Sequence, residues 1–271
     1  MEEKRMEYKN RVICGDNVEV MRGMPDNCID LTVTSPPYDN LRSYHGYSFN
    51  FEEVAKELYR ITKPGGVVVW VVGDATIKGS ETGTSFRQAL YFKEIGFNLH
   101  DTMIYEKSGC GACGSNKAYI QNFEYMFIFS KNIIATFNLI YDRENKRVGK
   151  IKTNGKRNIF TADNGRKYRV IETKKEGRRF NVWRYNQIGG QDKYSNSHPA
   201  PFPEQLANDH IISWSNPGDL VFDPFVGSGT TCKMAVLNGR NYLGIDISEE
   251  YCQIARKRIK YAKKKQSLKI F

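Results

Sequence analysis

The sequence lacks any long hydrophobic run, since the longest, residues 67–72, contains only six apolar residues. A helix that crosses a membrane needs about 18 or more. The charged N-terminus also leads into no apolar core of a signal peptide. We therefore expect a cytoplasmic protein that makes no contact with membranes.

Cysteine is sparse and follows no framework spacing, with six residues at positions 14, 28, 110, 113, 232 and 252. Such scattered thiols suit a reducing compartment. Cys110 and Cys113 form a C-x-x-C pair, but a structural zinc site needs four ligands and no second pair accompanies this one. We expect a glycine-rich loop there and no metal site, with a zinc or redox role of the two thiols as the alternative.

Acidic residues are scarce between positions 131 and 190, where sixteen Lys or Arg stand against five Asp or Glu. The resulting charge of +11 equals that of the whole chain. A basic surface confined to one segment is typical of proteins that contact phosphate backbones. We interpret 131–190 as a target-recognition module. The alternative is a solvated, lysine-rich segment that binds nothing in particular. Its candidate contacts are Lys174, Lys175, Arg178, Arg179 and Arg184.

Aromatic residues are interleaved with these charges and could form a small core or stack on bases. They are Phe160, Tyr168, Phe180, Trp183 and Tyr185. Asn154-Gly155 and Asn164-Gly165 are typical of hairpin turns. The pattern therefore predicts short strands within the module.

A first motif, Thr34-Ser35-Pro36-Pro37-Tyr38, follows the apolar run 29–33, which predicts a buried strand. Two prolines fix φ and remove two backbone donors, so the nearby carbonyls become stiff acceptors. Tyr38 adds a ring that can stack on a planar heterocycle. Acceptors and stacking together suit a flipped nucleobase, although a turn that merely ends a strand is the alternative.

A second motif, Asp223-Pro224-Phe225-Val226-Gly227-Ser228-Gly229-Thr230-Thr231, lies between a predicted strand at 220–222 and a helical pattern that reaches Leu237. Its two glycines permit positive φ, and the helix that follows offers free amides at its N-terminus. About twenty residues on, Asp246 ends another predicted strand, where its carboxylate can accept ribose hydroxyls. A nucleoside-bearing cofactor is indicated. Because Cys232 replaces the third glycine of G-x-G-x-x-G, a dinucleotide is not favoured.

Helical and strand patterns alternate along the rest of the chain. Helices are predicted around 51–58, 86–92 and 203–213 and after Ser248, with strands at 67–72, 103–105 and 123–129. This alternation predicts an α/β fold with a Rossmann-like, doubly wound and mostly parallel sheet. The two motif strands should be spatial neighbours, although they lie about two hundred residues apart.

Together the two motifs resemble those of the amino-methylating DNA methyltransferases that use S-adenosylmethionine. Because the catalytic motif comes first, the chain resembles the permuted beta class, over residues 11–130 and 187–260. The resemblance places 14–17 at the cofactor adenine and 198–203 over its methionine end. It implies a catalytic turn of Ser35, Pro36, Pro37 and Tyr38. The implied cofactor contacts are Asp16, Thr34, His198, Phe202, Asp223, Pro224, Phe225, Gly227, Ser228, Gly229, Thr230, Thr231 and Asp246.

The resemblance further implies methyl transfer to an exocyclic amine of a flipped base in double-stranded DNA, without a covalent nucleophile. In that family serine in the position of Ser35 is commoner in N4-cytosine enzymes and aspartate in N6-adenine enzymes, so we expect cytosine, with adenine as the alternative. A catalytically silent DNA-binding protein is an alternative of another class. A methyltransferase for small molecules or proteins is a third, but it gives the basic segment no function.

We accordingly expect three segments, with the catalytic motif in 1–130, the recognition module in 131–190 and the cofactor motif in 191–271. A prokaryotic or phage origin follows from the resemblance. The sequence leaves open a companion restriction endonuclease, the choice between monomer and homodimer, and the recognition site.

Overall fold

The structure is a computed structural model of the 271-residue chain. It describes residues 7–37, 50–108, 119–146, 148–149, 151–154, 169–186 and 203–267. The chain separates into two compact units, one of Met1–Asn138 with Asn181–Phe271 and one of Leu139–Phe180. Several residues considered above lie outside the described ranges, namely Tyr38, Cys110, Cys113, Phe160, Tyr168, His198 and Phe202.

Most helices and strands of the first unit lie where the periodicity predicts them, but the elements at 11–14, 17–23, 76–77, 80–81 and 182–186 are not predicted. Its helices are α1 (Asn17–Gly23), α2 (Phe51–Ile61), α3 (Thr84–Glu94), α4 (Glu204–Trp214), α5 (Thr230–Leu237) and α6 (Glu249–Ser267). Its strands are β1 (Arg11–Cys14), β2 (Ile29–Thr34), β3 (Thr62–Val72), β4 (Thr76–Ile77), β5 (Ser80–Glu81), β6 (Asn98–Ser108), β7 (Phe123–Ser130), β12 (Val182–Asn186), β13 (Leu220–Asp223) and β14 (Asn241–Asp246). Within the described ranges no helix is long and apolar enough to cross a membrane.

Eight of these strands form one sheet in the order β1-β14-β13-β2-β3-β7-β6-β12. Strand β7 runs antiparallel to both of its neighbours, and the other adjacent pairs are parallel. The predicted mostly parallel sheet is therefore confirmed. Strands β2 and β13 are neighbours, with Leu31 opposite Val221 and Thr32 opposite Phe222. This confirms that the two motif strands lie side by side.

The apolar run of the central strand β3 is continuous because helices cover both faces of the sheet at this strand. Alternate valines of this strand pack on opposite faces of the sheet: Val69 belongs to the same core cluster as residues of α4, α5 and α6, and Val68 to the cluster with residues of α1, α2 and α3. A strand covered by helices on both faces needs apolar residues at every position. The strand begins at Thr62 rather than at the predicted Val67, because Thr62 still pairs with Ile29 of β2.

The second unit contains two antiparallel strand pairs. Strand β8 (Tyr141–Glu144) pairs with β11 (Glu176–Arg178), and β9 (Ile151–Asn154) pairs with β10 (Arg169–Glu172). The predicted turns at Asn154-Gly155 and Asn164-Gly165 extend outside the described residues. Short strands are thus present where the sequence predicts them.

The second unit is shorter than the expected 131–190 module. Strand β12 pairs in parallel with β6 and completes the edge of the large sheet. Trp183 is 6% exposed and belongs to the core of the first unit, with Tyr185 packed against that core. Arg184, on the same strand, forms an ion pair with Glu106 at 2.5 Å. These three residues lie within the basic segment 131–190 but belong to the first unit.

Candidate active site

Both motif turns lie at the same edge of the sheet. Strand β2 ends at Thr34 and leads into Ser35-Pro36-Pro37, and β13 ends at Asp223 and leads into the glycine turn. Because the two strands are parallel neighbours, their carboxyl ends point in the same direction. In open α/β sheets ligands bind at this edge. The fold therefore brings the two motifs into one candidate site.

A buried hydrogen bond joins the two motifs directly. The hydroxyl Oγ1 of Thr34 donates to Oδ1 of Asp223 at 2.7 Å, and the backbone N–H of Phe225 donates to the same oxygen at 3.1 Å. Thr34 is 0% and Asp223 2% exposed. Burial raises the pKa of Asp223 to about 6, and these hydrogen bonds oppose the rise. One carboxylate thus fixes the end of β2 and the start of the glycine turn.

A second link runs from helix α5 to strand β2. Thr231 Oγ1, in the first turn of α5, donates to the carbonyl oxygen of Val33 at 3.1 Å. This bond is also buried and satisfies a carbonyl of β2 that faces the helix. The helix that follows the glycine turn is thereby tied to the strand that carries Ser35.

Asp246 holds the glycine turn in place. Its Oδ2 accepts the backbone N–H of Gly227 at 2.9 Å, and its Oδ1 accepts that of Ser248 at 2.9 Å. Burial raises the pKa of this carboxyl, and the hydrogen bonds to backbone amides oppose the rise. A carboxylate offers about four acceptor positions. Asp246 can therefore accept ribose hydroxyls while it also orders the turn.

The glycine turn has the backbone that its sequence predicts. Gly227 and Gly229 both have positive φ, at 48° and 84°. A Cβ atom at position 229 would lie 2.8 Å from the Cβ of Ala255 on α6, so a side chain does not fit there. Gly229 is the N-cap of α5 and provides no side-chain cap. The first amides of α5 are thus left uncapped at the edge where a ligand would bind.

Asp16 and Asn17 lie beside the same edge, because β1 pairs with β14 and places Cys14 opposite Asp246. Oδ1 of Asp16 caps helix α1, accepting the backbone N–H of the two residues after Asn17. Asn17 Nδ2 donates to the carbonyl oxygen of Pro224 at 3.3 Å, whereas its Oδ1 is buried without a hydrogen-bond partner. Such an acceptor is costly unless a donor reaches it. Together with the Asp246 carboxylate, it fits a ligand that carries hydroxyl and amine donors, and the uncapped amides fit acceptor groups of the same ligand.

Arg258 of α6 is fully buried, and no pattern in the sequence distinguishes it. Its guanidinium donates to Ser228 and Thr230 of the glycine turn and to Glu204, the first residue of α4. Arg258 lies in a helix rich in Lys and Arg, where charge alone does not distinguish a buried residue from exposed ones. Only the packing of α6 against the turn identifies it.

The candidate DNA contacts of the second unit differ in their surroundings. Lys174, Lys175 and Arg178 are exposed. Arg179 is partly buried and donates through Nε to Oδ2 of Asp142 at 2.8 Å. A guanidinium already paired with a carboxylate has less charge to offer a phosphate than an exposed side chain has.

The described cysteines are poorly suited to covalent catalysis. Burial raises the pKa of Cys252 to about 12 and that of Cys232 well above its ordinary value. Both thiols are therefore protonated near neutral pH and are weak nucleophiles. Cys14, Glu249 and Cys252 lie with their potential ligand atoms within 4.8 Å of one another, but three donors fall short of the four in a structural zinc site.

The known proteins that resemble this chain are consistent with the geometry of the candidate site. A model of the N6 and N4 methyltransferases, described as DNA methylase, matches residues 29–257. The orphan methyltransferase M.BamHII of Bacillus amyloliquefaciens is 61% identical over 239 residues, which cover 87% of this chain and 90% of that protein.

Two solved structures share the fold. The PvuII DNA methyltransferase, described as cytosine-N4-specific, matches with a TM-score of 0.67 at 20% identity and covers 96% of this chain and 92% of its own. The Thermus thermophilus protein TTHA0409, in complex with S-adenosyl-L-methionine, matches with a TM-score of 0.63 at 24% identity and covers 93% and 94%. The extent of the family match and the identity to M.BamHII show that this chain belongs to the N6/N4 DNA methylase family.

Proposed function

We propose that this chain transfers a methyl group from S-adenosylmethionine to the N4 amine of a cytosine flipped out of double-stranded DNA. The observation that carries the proposal is the hydrogen bond between the two motifs. Thr34 at the end of β2 donates to Asp223 at the start of the glycine turn at 2.7 Å. Since transfer needs donor and acceptor in contact, a shared buried carboxylate at this junction supports one site for both.

Three groups would hold the cofactor: the carboxylate of Asp246, the uncapped amides of α5 and the side-chain oxygen Oδ1 of Asn17. When bound, S-adenosylmethionine supplies an electrophilic methyl group on a sulfonium. Each oxygen of Asp246 accepts one backbone amide, and these two hydrogen bonds fix the orientation of the carboxylate. Hydroxyl groups of a ribose can bond to a carboxylate so fixed without further ordering of the side chain.

Ser35 and Pro36 would receive the amine. The lone pair of an exocyclic amine is delocalised into its ring, so the nitrogen is a poor nucleophile. Hydrogen bonds from its two protons to the Ser35 hydroxyl and the Pro36 carbonyl favour a pyramidal nitrogen with an available lone pair. Pro36 and Pro37 hold these acceptors at a fixed φ, so that little reorganisation is needed during transfer. Tyr38 would stack on the base. As the nitrogen–carbon bond formed, the methyl–sulfur bond would break with its electron pair left on sulfur, and the methylated amine would then lose one proton to solvent. No thiol is required.

The choice of cytosine rests on Ser35, which stands where adenine enzymes of the resembled family more often carry aspartate. A serine hydroxyl is neutral and can donate as well as accept, so it can also bond to a ring nitrogen beside the amine. N6 of adenine is the alternative acceptor.

The second unit would contact the target DNA. Exposed Lys174, Lys175 and Arg178 supply positive charge to phosphates, and Phe180 is 64% exposed with the Arg143 guanidinium 4.7 Å from its ring centroid. Charged groups beside an exposed aromatic ring suit contact with nucleic acid.

The test is to identify the methylated nucleoside. Purified protein is incubated with mixed-sequence duplex DNA and S-adenosylmethionine that carries a deuterated methyl group, and the DNA is digested for mass spectrometry. We expect labelled N4-methyldeoxycytidine. Labelled N6-methyldeoxyadenosine would overturn the base assignment but not the reaction class. No label in DNA that the protein nonetheless binds would favour the silent DNA-binding alternative.

A further inference from the structure

Arg258 is unusual among the described arginines because it is 0% exposed. Its Nη1 donates to the carbonyl oxygen and to Oγ of Ser228, both at 2.8 Å, and to Oγ1 of Thr230 at 3.2 Å. Its Nη2 donates to Oε1 of Glu204 at 2.7 Å. A guanidinium removed from water is tolerated only when its donors are satisfied, as they are here.

Glu204 provides the counter-charge and connects Arg258 to a second helix. The same Oε1 atom accepts Nζ of Lys233 at 2.6 Å, and Lys233 is only 8% exposed. Glu204 starts α4, Lys233 lies on α5 and Arg258 lies on α6. The carboxylate, which is partly buried, therefore joins three helices beside the glycine turn.

The peptide group between Ser228 and Gly229 is fixed on both sides. Its carbonyl accepts from Arg258, and its N–H donates to the carbonyl of Val226 at 2.7 Å. Gly229 also lies so close to Ala255 that a Cβ atom there would be 2.8 Å away. Ala255 and Arg258 are three residues apart and share one face of α6. This face thus supports the turn by contact and by hydrogen bonds.

We infer that Arg258 is a positioning residue for the cofactor turn, with Glu204 as its anchor, and this inference rests on the proposed function. By fixing the plane of the Ser228 peptide, the guanidinium sets the direction of the neighbouring amides that face the ligand. A turn with that peptide free to rotate must be ordered on binding, which lowers the affinity for the cofactor. Arg258 itself needs no contact with the cofactor.

The experiment measures cofactor affinity in the full chain by calorimetry, with S-adenosylmethionine and its demethylated product as ligands. Arg258→Met keeps much of the side-chain volume and removes every donor. We expect the Kd for both ligands to rise by at least about tenfold. Arg258→Lys should not restore affinity, because one ammonium group cannot replace a planar fork that bonds to Ser228 and Glu204 together. The apparent KM for the cofactor should rise, whereas kcat at saturating cofactor should change little.

Arg60→Met is the matched control. Arg60 lies on α2, donates to the carbonyl oxygens of Met21 and Met24 and pairs with Asp26 and Glu57. It is an equally well-bonded arginine that no part of the proposed site uses. We expect this change to lower the unfolding temperature and to leave the cofactor Kd as it is.

Glu204→Gln provides a second variant if Arg258→Met does not fold. It keeps the size and one acceptor oxygen but removes the counter-charge, and a several-fold higher Kd is expected. The Kd is measured well below the unfolding temperature of each variant. An unchanged Kd in folded Arg258→Met or Glu204→Gln would show that Arg258 and Glu204 only stabilise the fold, and would overturn the inference. Failure of the wild type to bind either ligand would instead overturn the proposed function, and the inference with it.

Discussion

Thr34 and Asp223, which are 189 positions apart in sequence, share a buried hydrogen bond of 2.7 Å. A second bond joins the same two strands at their other end, where the backbone N–H of Leu220 donates to Oδ2 of Asp30 at 2.9 Å. Strands β2 and β13 are therefore fixed in register by side chains as well as by the ladder. In a chain whose catalytic motif precedes its cofactor motif, these contacts keep the two halves of the site together.

Thr34→Val tests the contact between the motifs. Valine matches the shape of threonine but leaves the buried Asp223 carboxylate without one donor, which costs about 1–3 kcal/mol of unfolding free energy. Turnover should fall as well, because the end of β2 positions Ser35. Urea unfolding and methyl transfer to DNA measure the two effects.

Thr32→Val is the control for that prediction. Thr32 lies two residues earlier on the same strand and is equally buried, but its Oγ1 has no hydrogen-bond partner. Replacing an unpaired buried hydroxyl by a methyl group should be neutral or stabilising. If both valine variants lose the same stability and activity, the hydrogen bond to Asp223 is not what matters.

Asp223→Asn should change how stability depends on pH. Burial raises the pKa of Asp223 from its ordinary 3.8 to about 6 in the folded protein. The protonated carboxyl therefore stabilises the folded protein fully below about pH 4. This stabilisation is lost as the pH rises through 6, and the free energy of unfolding falls by about 3 kcal/mol. The asparagine variant lacks this decline, so it should gain stability relative to the wild type between pH 4 and 7. The free energy of unfolding is measured by urea titration at several pH values. If it varies with pH in the same way in the wild type and in Asp223→Asn, the raised pKa of Asp223 is contradicted.

The sequence predicted six of the eight strands of the sheet, the neighbourhood of the two motif strands and the glycine turn, because apolar periodicity, glycine and proline act locally. It could not reveal Arg258, whose burial depends on how α6 packs against residues about thirty positions away. Charge density also does not indicate that β12, which lies within the basic segment 131–190, completes the edge of the large sheet.

Asp246→Ala should weaken binding of S-adenosylmethionine by at least about tenfold, through loss of charge-assisted hydrogen bonds and of the tether to Gly227. Glu250→Ala is the control, since Glu250 is an exposed carboxylate four residues further on. Calorimetry compares the two variants. Equal losses would mean that local negative charge, rather than the position of Asp246, favours the cofactor.

Neutralising Lys174, Lys175 and Arg178 together should weaken DNA binding and reduce its dependence on salt, by about 0.9 in log-log slope for each phosphate that the variant no longer neutralises. Cofactor affinity should remain. Changing the exposed Lys264 and Lys265 of α6 is the control and should have a much smaller effect. Fluorescence anisotropy at several salt concentrations measures the slope. Unchanged DNA affinity in the triple variant would place the contact surface elsewhere.

The central claim is that the turn after β2 positions a flipped base for attack by its own amine, and Tyr38→Ala tests this most directly. Labelled methyl transfer to duplex DNA is measured in a single turnover with saturating cofactor, alongside the cofactor Kd. Because stacking contributes on the order of 1–3 kcal/mol and misalignment costs more, we expect most of the transfer rate to be lost while the Kd stays that of the wild type. Transfer at the wild-type rate by Tyr38→Ala would contradict the account.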